Sequence, residues 1–321
     1  MIDLAPIIFH PYLKSVIWGG EKICRYKNIP QPQPKIGESW EISAVPGHES
    51  IVAYGKYKGW SLTQLIDEFG EELLGKKVTA RYGKKFPLLV KIIDANDNLS
   101  VQVHPDDNLA MERHNSLGKT EMWYIISADK NAKIYAGFKM QSNPEDYVER
   151  ISNGTFTETL AIHDSYPDDV FFLPAGRVHA IGAGNLLAEI QESSDITYRI
   201  YDYDRTDSSG NKRELHTREA KDAIDYTVYS DYKEQNINSS DKMARLVSCD
   251  HFKTYKLNIH PKLELSFDSA SFTILMCLQG SVTLKYPSGE MELKKGHTVL
   301  LPSSLTTISL SGDAKMLMAH T

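Results

Sequence analysis

Cysteine is scarce: Cys24, Cys249 and Cys277 are odd in number and far apart in a chain of 321 residues. That usage excludes a disulfide framework and a thiolate zinc site, and it points to a reducing compartment, the cytoplasm. Excess positive charge is also lacking. Lys and Arg total 36 against 42 Asp and Glu, a net charge of −6, so the basic field of a nucleic-acid or anionic-membrane binder is not expected. No apolar run approaches the roughly 18 residues of a membrane-spanning helix. Met1 to Pro11 carries one Asp and no Lys or Arg, unlike a secretory leader. Internal repeats and low-complexity tracts are missing too. What remains is ordinary globular usage, 24% charged and 41% hydrophobic, long enough to bury a core without a staple.

Several short strands are legible. Glu41–Val45, Ser50–Tyr54, Phe86–Ile93, Glu121–Ile126 and Val170–Leu173 read as β, and Ser100–His104 alternates strictly. Helical spacing is expected over about 57–83, where Ser61 is a plausible N-cap and Leu62, Leu65, Ile66, Phe69, Leu73 and Leu74 recur at three- and four-residue steps. Further helical segments are expected at about 143–163, opened by Asn143-Pro144 with two acids behind, and at about 214–226. From about Asp241 the texture becomes short strands and regular turns, including Phe272–Leu278, Gln279-Gly280, Val282–Tyr286, Pro287-Ser-Gly289 and Thr298–Leu301. The polar stretch Ser230–Ser240 separates the two textures.

Chemistry concentrates in few residues. On a strand, Ser100, Gln102 and His104 share one face while Val101 and Val103 take the other. That face could simply meet water. Asp169-Val-Phe-Phe-Leu-Pro-Ala-Gly-Arg-Val-His179, however, places a second His just after a strand and a Pro-x-Gly turn, the pattern by which small β-barrels aim an imidazole at a metal. With Glu121 at a strand start, the set becomes two imidazoles, a carboxylate and an amide oxygen. Zinc tolerates those donors, and a catalytic zinc keeps a position open.

The stretch around His179 resembles the second cupin motif. Leu88-Leu-Val-Lys-Ile-Ile-Asp94, Leu99-Ser-Val-Gln-Val-His-Pro105, Gly118-Lys-Thr-Glu-Met-Trp-Tyr124, His179-Ala-Ile, Glu189-Ile-Gln-Glu-Ser-Ser-Asp195-Ile-Thr-Tyr-Arg199 and Tyr12–Gly20 together resemble type I phosphomannose isomerases in their short bacterial form. The likeness runs over most of residues 8–226 and is weak in the last third. It implies a mainly β fold of two cupin-like jelly-roll barrels with a small helical segment inserted in the N-terminal part. Residues 1–235 would form the catalytic, metal-binding unit and 242–321 a degenerate barrel without metal.

The resemblance implies one zinc per chain on Gln102, His104, Glu121 and His179. It implies catalytic roles for Arg199, Lys119, Glu189 and Asp195, and contacts to sugar or phosphate from Ser100, Lys91 and Trp18. The reaction implied is interconversion of mannose 6-phosphate and fructose 6-phosphate through a cis-enediol, with the proton-transferring base open among Glu189, Asp195, Lys119 and a metal-bound water. The chain departs from longer eukaryotic-type members at Gly118-Lys-Thr-Glu121 and at Tyr201-Asp-Tyr-Asp-Arg205, which bears on how phosphate is held. A cupin metal oxygenase or epimerase and a non-catalytic sugar-phosphate-binding cupin are the competing readings.

Plainer roles stand beside these. Lys91 could be a snorkelling edge lysine, Trp18 and Trp123 core, Arg199 the structural partner of Glu189 or Asp195, and Arg205 and Arg213 salt-bridged. His10, His48, His114, His163, His216, His251, His260, His297 and His320 show no ligand spacing, and His297 stands alone in its Gly-His-Thr-Val-Leu-Leu-Pro run.

Overall fold

The computed structural model describes residues 4–30, 33–206, 209–234 and 241–321. Burial dictates the architecture: Ile36–Ile42, Leu88–Ala95 and Asn185–Glu192 are buried along their whole length, so both faces of their sheet must be covered. A six-stranded antiparallel sheet runs in the order Val170–Leu173, Glu121–Ala128, Asn185–Glu192, Leu88–Ala95, Ile36–Ile42, Tyr12–Gly20. A five-stranded sheet runs Tyr198–Tyr201, Val101–Val103, His179–Ile181, Lys133–Phe138, Leu160–Asp164. These two form the N-terminal cupin barrel. The C-terminal barrel is a nine-stranded sheet, seven of whose strands run from Met243–Ser248 through Thr307–His320. The fold is thus mainly β with two cupin-like barrels, as the motifs imply.

One connection was not legible in the sequence. The strand Ile7–His10 pairs with Thr298–Leu301 on one side and with Ile51–Val52 on the other, so the start of the chain completes the C-terminal sheet. A shared core follows. Ile7, Phe9, Leu62, Leu73, Phe86 and Leu88 pack in one buried cluster with Phe252, Phe272, Ile274 and Leu317. Residues 235–240, where the polar separator ends, lie outside the described residues, as do Gln31 and Pro32.

Helices cover the seam between the units. Ser61 caps Leu62–Phe69 by accepting from the Gln64 N–H while the Gln64 side chain returns to the Ser61 N–H. Glu71–Leu74 and Lys76–Tyr82 continue the expected helical stretch, interrupted at Gly70 and Gly75. Pro144–Asn153 starts where Asn143 predicts but ends ten residues before 163. Leu160–Asp164 is instead a strand, because Leu160 and Ala161 gain burial by pairing with Lys133–Phe138. The segment at 214–226 contracts to Thr217–Ala223. The expected turn at Gln279-Gly280 is paired strand instead, just after a bulge at Leu278, inside one long strand, Thr273–Tyr286. Gly280 sits there at φ +75°, with the Asp313 carbonyl occupying the space a Cβ would need.

Candidate metal centre and substrate pocket

The site lies between the two N-terminal sheets, and register places its residues. On the five-stranded sheet Arg199, Gln102, His179 and Ala136 lie opposite one another across four strands. On the facing sheet Trp40, Lys91, Glu189 and Trp123 form the corresponding row. Glu121 begins its strand two residues before Trp123, on the same face, between Leu173 and Gln191. His179 is aimed by the turn at Pro174-Ala-Gly176. Gly176 adopts φ +90°, donates its N–H to the His104 carbonyl (2.9 Å), and leaves only 3.1 Å between a hypothetical Cβ and the Ala223 carbonyl.

His104, Glu121 and His179 are all buried, with ligand atoms within 4.8 Å of one another. Each imidazole has Nδ1 committed to a backbone carbonyl, His104 to Ile196 (3.0 Å) and His179 to Arg177 (2.8 Å). If Nδ1 carries the proton, each Nε2 lone pair turns inward. His104 Nε2 then lies 3.5 Å and His179 Nε2 3.2 Å from the Glu121 carboxylate oxygens. His104 Nε2 and both Glu121 oxygens are buried without a hydrogen-bond partner. Orphaned acceptors converging on one point are costly unless a cation sits among them. The donor set therefore fits a divalent metal such as zinc. The Gln102 amide is 3.2 Å from His179 Nε2, and a half-turn of the amide presents its oxygen to the same point.

Burial sets the protonation tendencies. It pushes His179 down to about 4, against the pull of the Arg177 carbonyl, and His104 well below its usual value, with Lys119 adding to the effect. Both imidazoles are therefore neutral at neutral pH, as metal ligation would require. Burial, then Glu189, pushes Glu121 up to about 8, while Lys119 and Lys91 oppose.

Beside these ligands opens a cavity of about 320 Å³. Trp18, Lys91, Ser100, Gln102, Lys119, Glu189, Asp195 and Arg199 all line it, so the structure brings the sequence-predicted substrate and catalytic residues together. Lys91 is no edge lysine. It is buried in a central strand, 3.2 Å from Glu189 and 3.7 Å from Glu38, with its ammonium 5.0 Å from the Trp40 ring centre. Burial alone would lower its pKa, yet Glu189 and Glu38 hold it above its ordinary value. Glu189 accepts from the Trp123 indole N–H (2.9 Å) and is kept below the usual carboxylate range by Lys91 and Lys119, which outweigh its burial.

Arg199 donates to the Glu214 carbonyl (2.7 Å), and its Nε is buried without a partner. Among the described residues no carboxylate lies within ion-pair distance of it, so the structural-partner alternative is not what the structure contains. Lys119 is 3.5 Å from Glu121. Arg205 and Arg213 are indeed salt-bridged, sharing Asp202.

Sequence reasoning missed Lys14, Glu38, Thr197 and Arg213, which also line the cavity. Lys14 and Glu38 lie on the two strands farthest in sequence from the metal motifs, and only cross-strand pairing (Lys14 opposite Glu38) unites them. With these included, five cations face three carboxylates across the cavity, a balance suited to an anionic ligand.

Fold and site define a cupin with a candidate metal centre under a cationic cavity. Residues 8–138 match the family described as phosphomannose isomerase type I, catalytic domain, and residues 242–321 the mannose-6-phosphate isomerase cupin domain. The mannose-6-phosphate isomerase of Streptococcus mutans is 35% identical over 316 residues, 98% of this chain and 98% of that protein. One from Bacillus subtilis is 35% identical over 323 residues, again 98% of both. A crystal structure of the mannose 6-phosphate isomerase from Bacillus subtilis superposes with a TM-score of 0.90 at 36% identity, covering 99% of this chain and 100% of that one. The chain belongs to the type I phosphomannose isomerase family and is an enzyme of the isomerase class.

Proposed function

We propose that the protein is a zinc-dependent aldose–ketose isomerase that interconverts mannose 6-phosphate and fructose 6-phosphate through a cis-enediol. The observation that carries this reading is the buried His104–Glu121–His179 cluster opening onto a cavity with an excess of cations. Gln102, His104, Glu121 and His179 would hold one zinc per chain, and zinc, when bound, supplies a Lewis acid for the substrate's oxygens. In this reading residues 1–235 carry the chemistry, 242–321 carry no metal, and the enzyme works in the cytoplasm.

The chain's own groups divide the remaining work. The phosphate dianion needs cationic and hydroxyl donors, for which Lys91, Lys119 and Ser100 face the cavity. Trp18 contributes an apolar wall against the sugar. A hydrogen α to a carbonyl is weakly acidic, so the site must supply a base and stabilise an enediolate. Glu189 has one oxygen engaged by Trp123 and the other facing Lys91 at 3.2 Å, which favours a role in fixing those two groups. Asp195 lines the cavity and makes no hydrogen bond or ion pair among the described residues. We therefore assign the proton transfer between C1 and C2 to its carboxylate. Arg199, permanently charged, stands over the negative charge that develops on oxygen.

A coupled assay for fructose 6-phosphate formed from mannose 6-phosphate, run with and without a chelator, tests the reading. Turnover that chelation abolishes and zinc restores is expected. Binding of mannose 6-phosphate without any turnover would establish the non-catalytic alternative instead.

A further inference from the structure

We propose that His251, in the C-terminal barrel, is a positioning residue for the metal centre, acting through Glu192 on the backbone of Thr120; the proposal rests on the site reading above.

Lys119 and Thr120 precede the strand Glu121–Ala128 and yet are buried. Something other than the strand ladder must fix them, because Glu121 ligates from the first strand position and Lys119 lines the cavity. The fixation is Glu192. Its carboxylate accepts the Thr120 N–H (2.8 Å) while its own N–H donates to the Thr120 carbonyl (3.1 Å). Both main-chain groups of Thr120 are therefore held by one residue. Glu192 is itself buried, and the His251 imidazole pairs with its second oxygen as an ion pair, Nδ1 standing 2.8 Å away but off hydrogen-bond alignment.

His251 belongs to the bend between Met243–Ser248 and Lys253–Ile259. The Arg81 guanidinium donates to the carbonyl of Asp250 in the same bend, which ties the bend to the helix Lys76–Tyr82. A relay thus runs from the C-terminal barrel through one buried carboxylate to the residue between Lys119 and Glu121. It gives the metal-free barrel a part in the chemistry. Asp107 also comes within 4.8 Å of this pair, a grouping that could hold a cation. At 2.8 Å the His251 and Glu192 atoms stand closer than the roughly 3.2 Å at which two ligands of one zinc sit with bonds near 2.0 Å.

The test compares zinc affinity, by competition with a chromophoric chelator, and turnover per folded, zinc-loaded molecule. His251→Ala is expected to lower zinc affinity about 10-fold, the scale of losing an outer partner of a metal site, with a similar fall in turnover. His251→Asn, whose amide N–H falls near Nδ1, is expected to restore both to within about threefold. His251→Phe keeps the ring's bulk without the donor and should behave like His251→Ala, so it carries the test if the alanine variant does not fold. Zinc affinity within about twofold of the parent in His251→Phe, or a failure of His251→Asn to rescue, would overturn the relay. So would two zinc equivalents per chain with one lost in His251→Ala, which would make the trio a second metal site. Absence of isomerase turnover in the parent would sink the substrate reading alone, since the affinity comparison needs no substrate.

Discussion

Arg199 is the residue at which the functional reading is most exposed to test. Among the described residues it has no carboxylate partner, so removing it strands no buried charge there, and it reaches the cavity from a strand directly opposite Gln102. Arg199→Ala is expected to cut turnover by about 10²–10³-fold, in line with losing one preorganised donor, with zinc content and melting temperature little changed. Asp195→Asn is expected to cost about 10²–10⁴-fold in turnover with little change in KM, and a normal rate would return the base to Glu189 or Lys119. The candidate metal cluster was legible because strand alternation and one Pro-x-Gly turn put Gln102, His104 and His179 in a pattern that local spacing reveals. Lys14, Glu38 and His251 were not. Each meets its partner only across a sheet or between barrels, and no sequence interval encodes those meetings.

Among the elements, the helical run behind Ser61 was readable in most of its detail, because the cap and the three- and four-residue apolar spacing agree. Ser61→Ala is expected to cost about 1 kcal/mol, read from the urea midpoint at unchanged slope, since it removes the capping bond at Gln64. Short, continuously apolar strands bounded by turns, such as Val170–Leu173 and Thr298–Leu301, fall where the sequence puts them. Two expectations failed for one reason. Leu160–Asp164 lay inside a supposed helix, and Gln279-Gly280 stood for a turn, yet both are paired strand. Pairing with a partner far along the chain overrode local preference, which is the usual weakness of β propensity as a guide.

At the level of the whole molecule, the two barrels are tied by a shared sheet, a shared core and the His251–Glu192 contact. Glu192 first, then Asp107, raises the pKa of His251, opposed by burial and by nearby Arg81. A raised folded value means that the contact stabilises fully below the unfolded pKa of about 6.5 and fades as pH rises through the folded one. The stability gap between parent and His251→Ala, from urea midpoints, is therefore expected to be wider at pH 6 than at pH 9. All four tryptophans, Trp18, Trp40, Trp60 and Trp123, precede residue 235, so their fluorescence follows the N-terminal unit while far-ultraviolet circular dichroism follows both. The two signals are expected to give one coincident unfolding transition, because the strand Ile7–His10 cannot leave one unit intact. That strand also sets a clock for synthesis. It leaves the ribosome well before its partner Thr298–Leu301, which comes almost 300 residues later. At roughly 5–20 residues per second the wait is on the order of 15–60 s. Throughout it an apolar edge stays open to neighbouring nascent chains, so the yield of soluble enzyme is expected to depend on a chaperone that shields that strand.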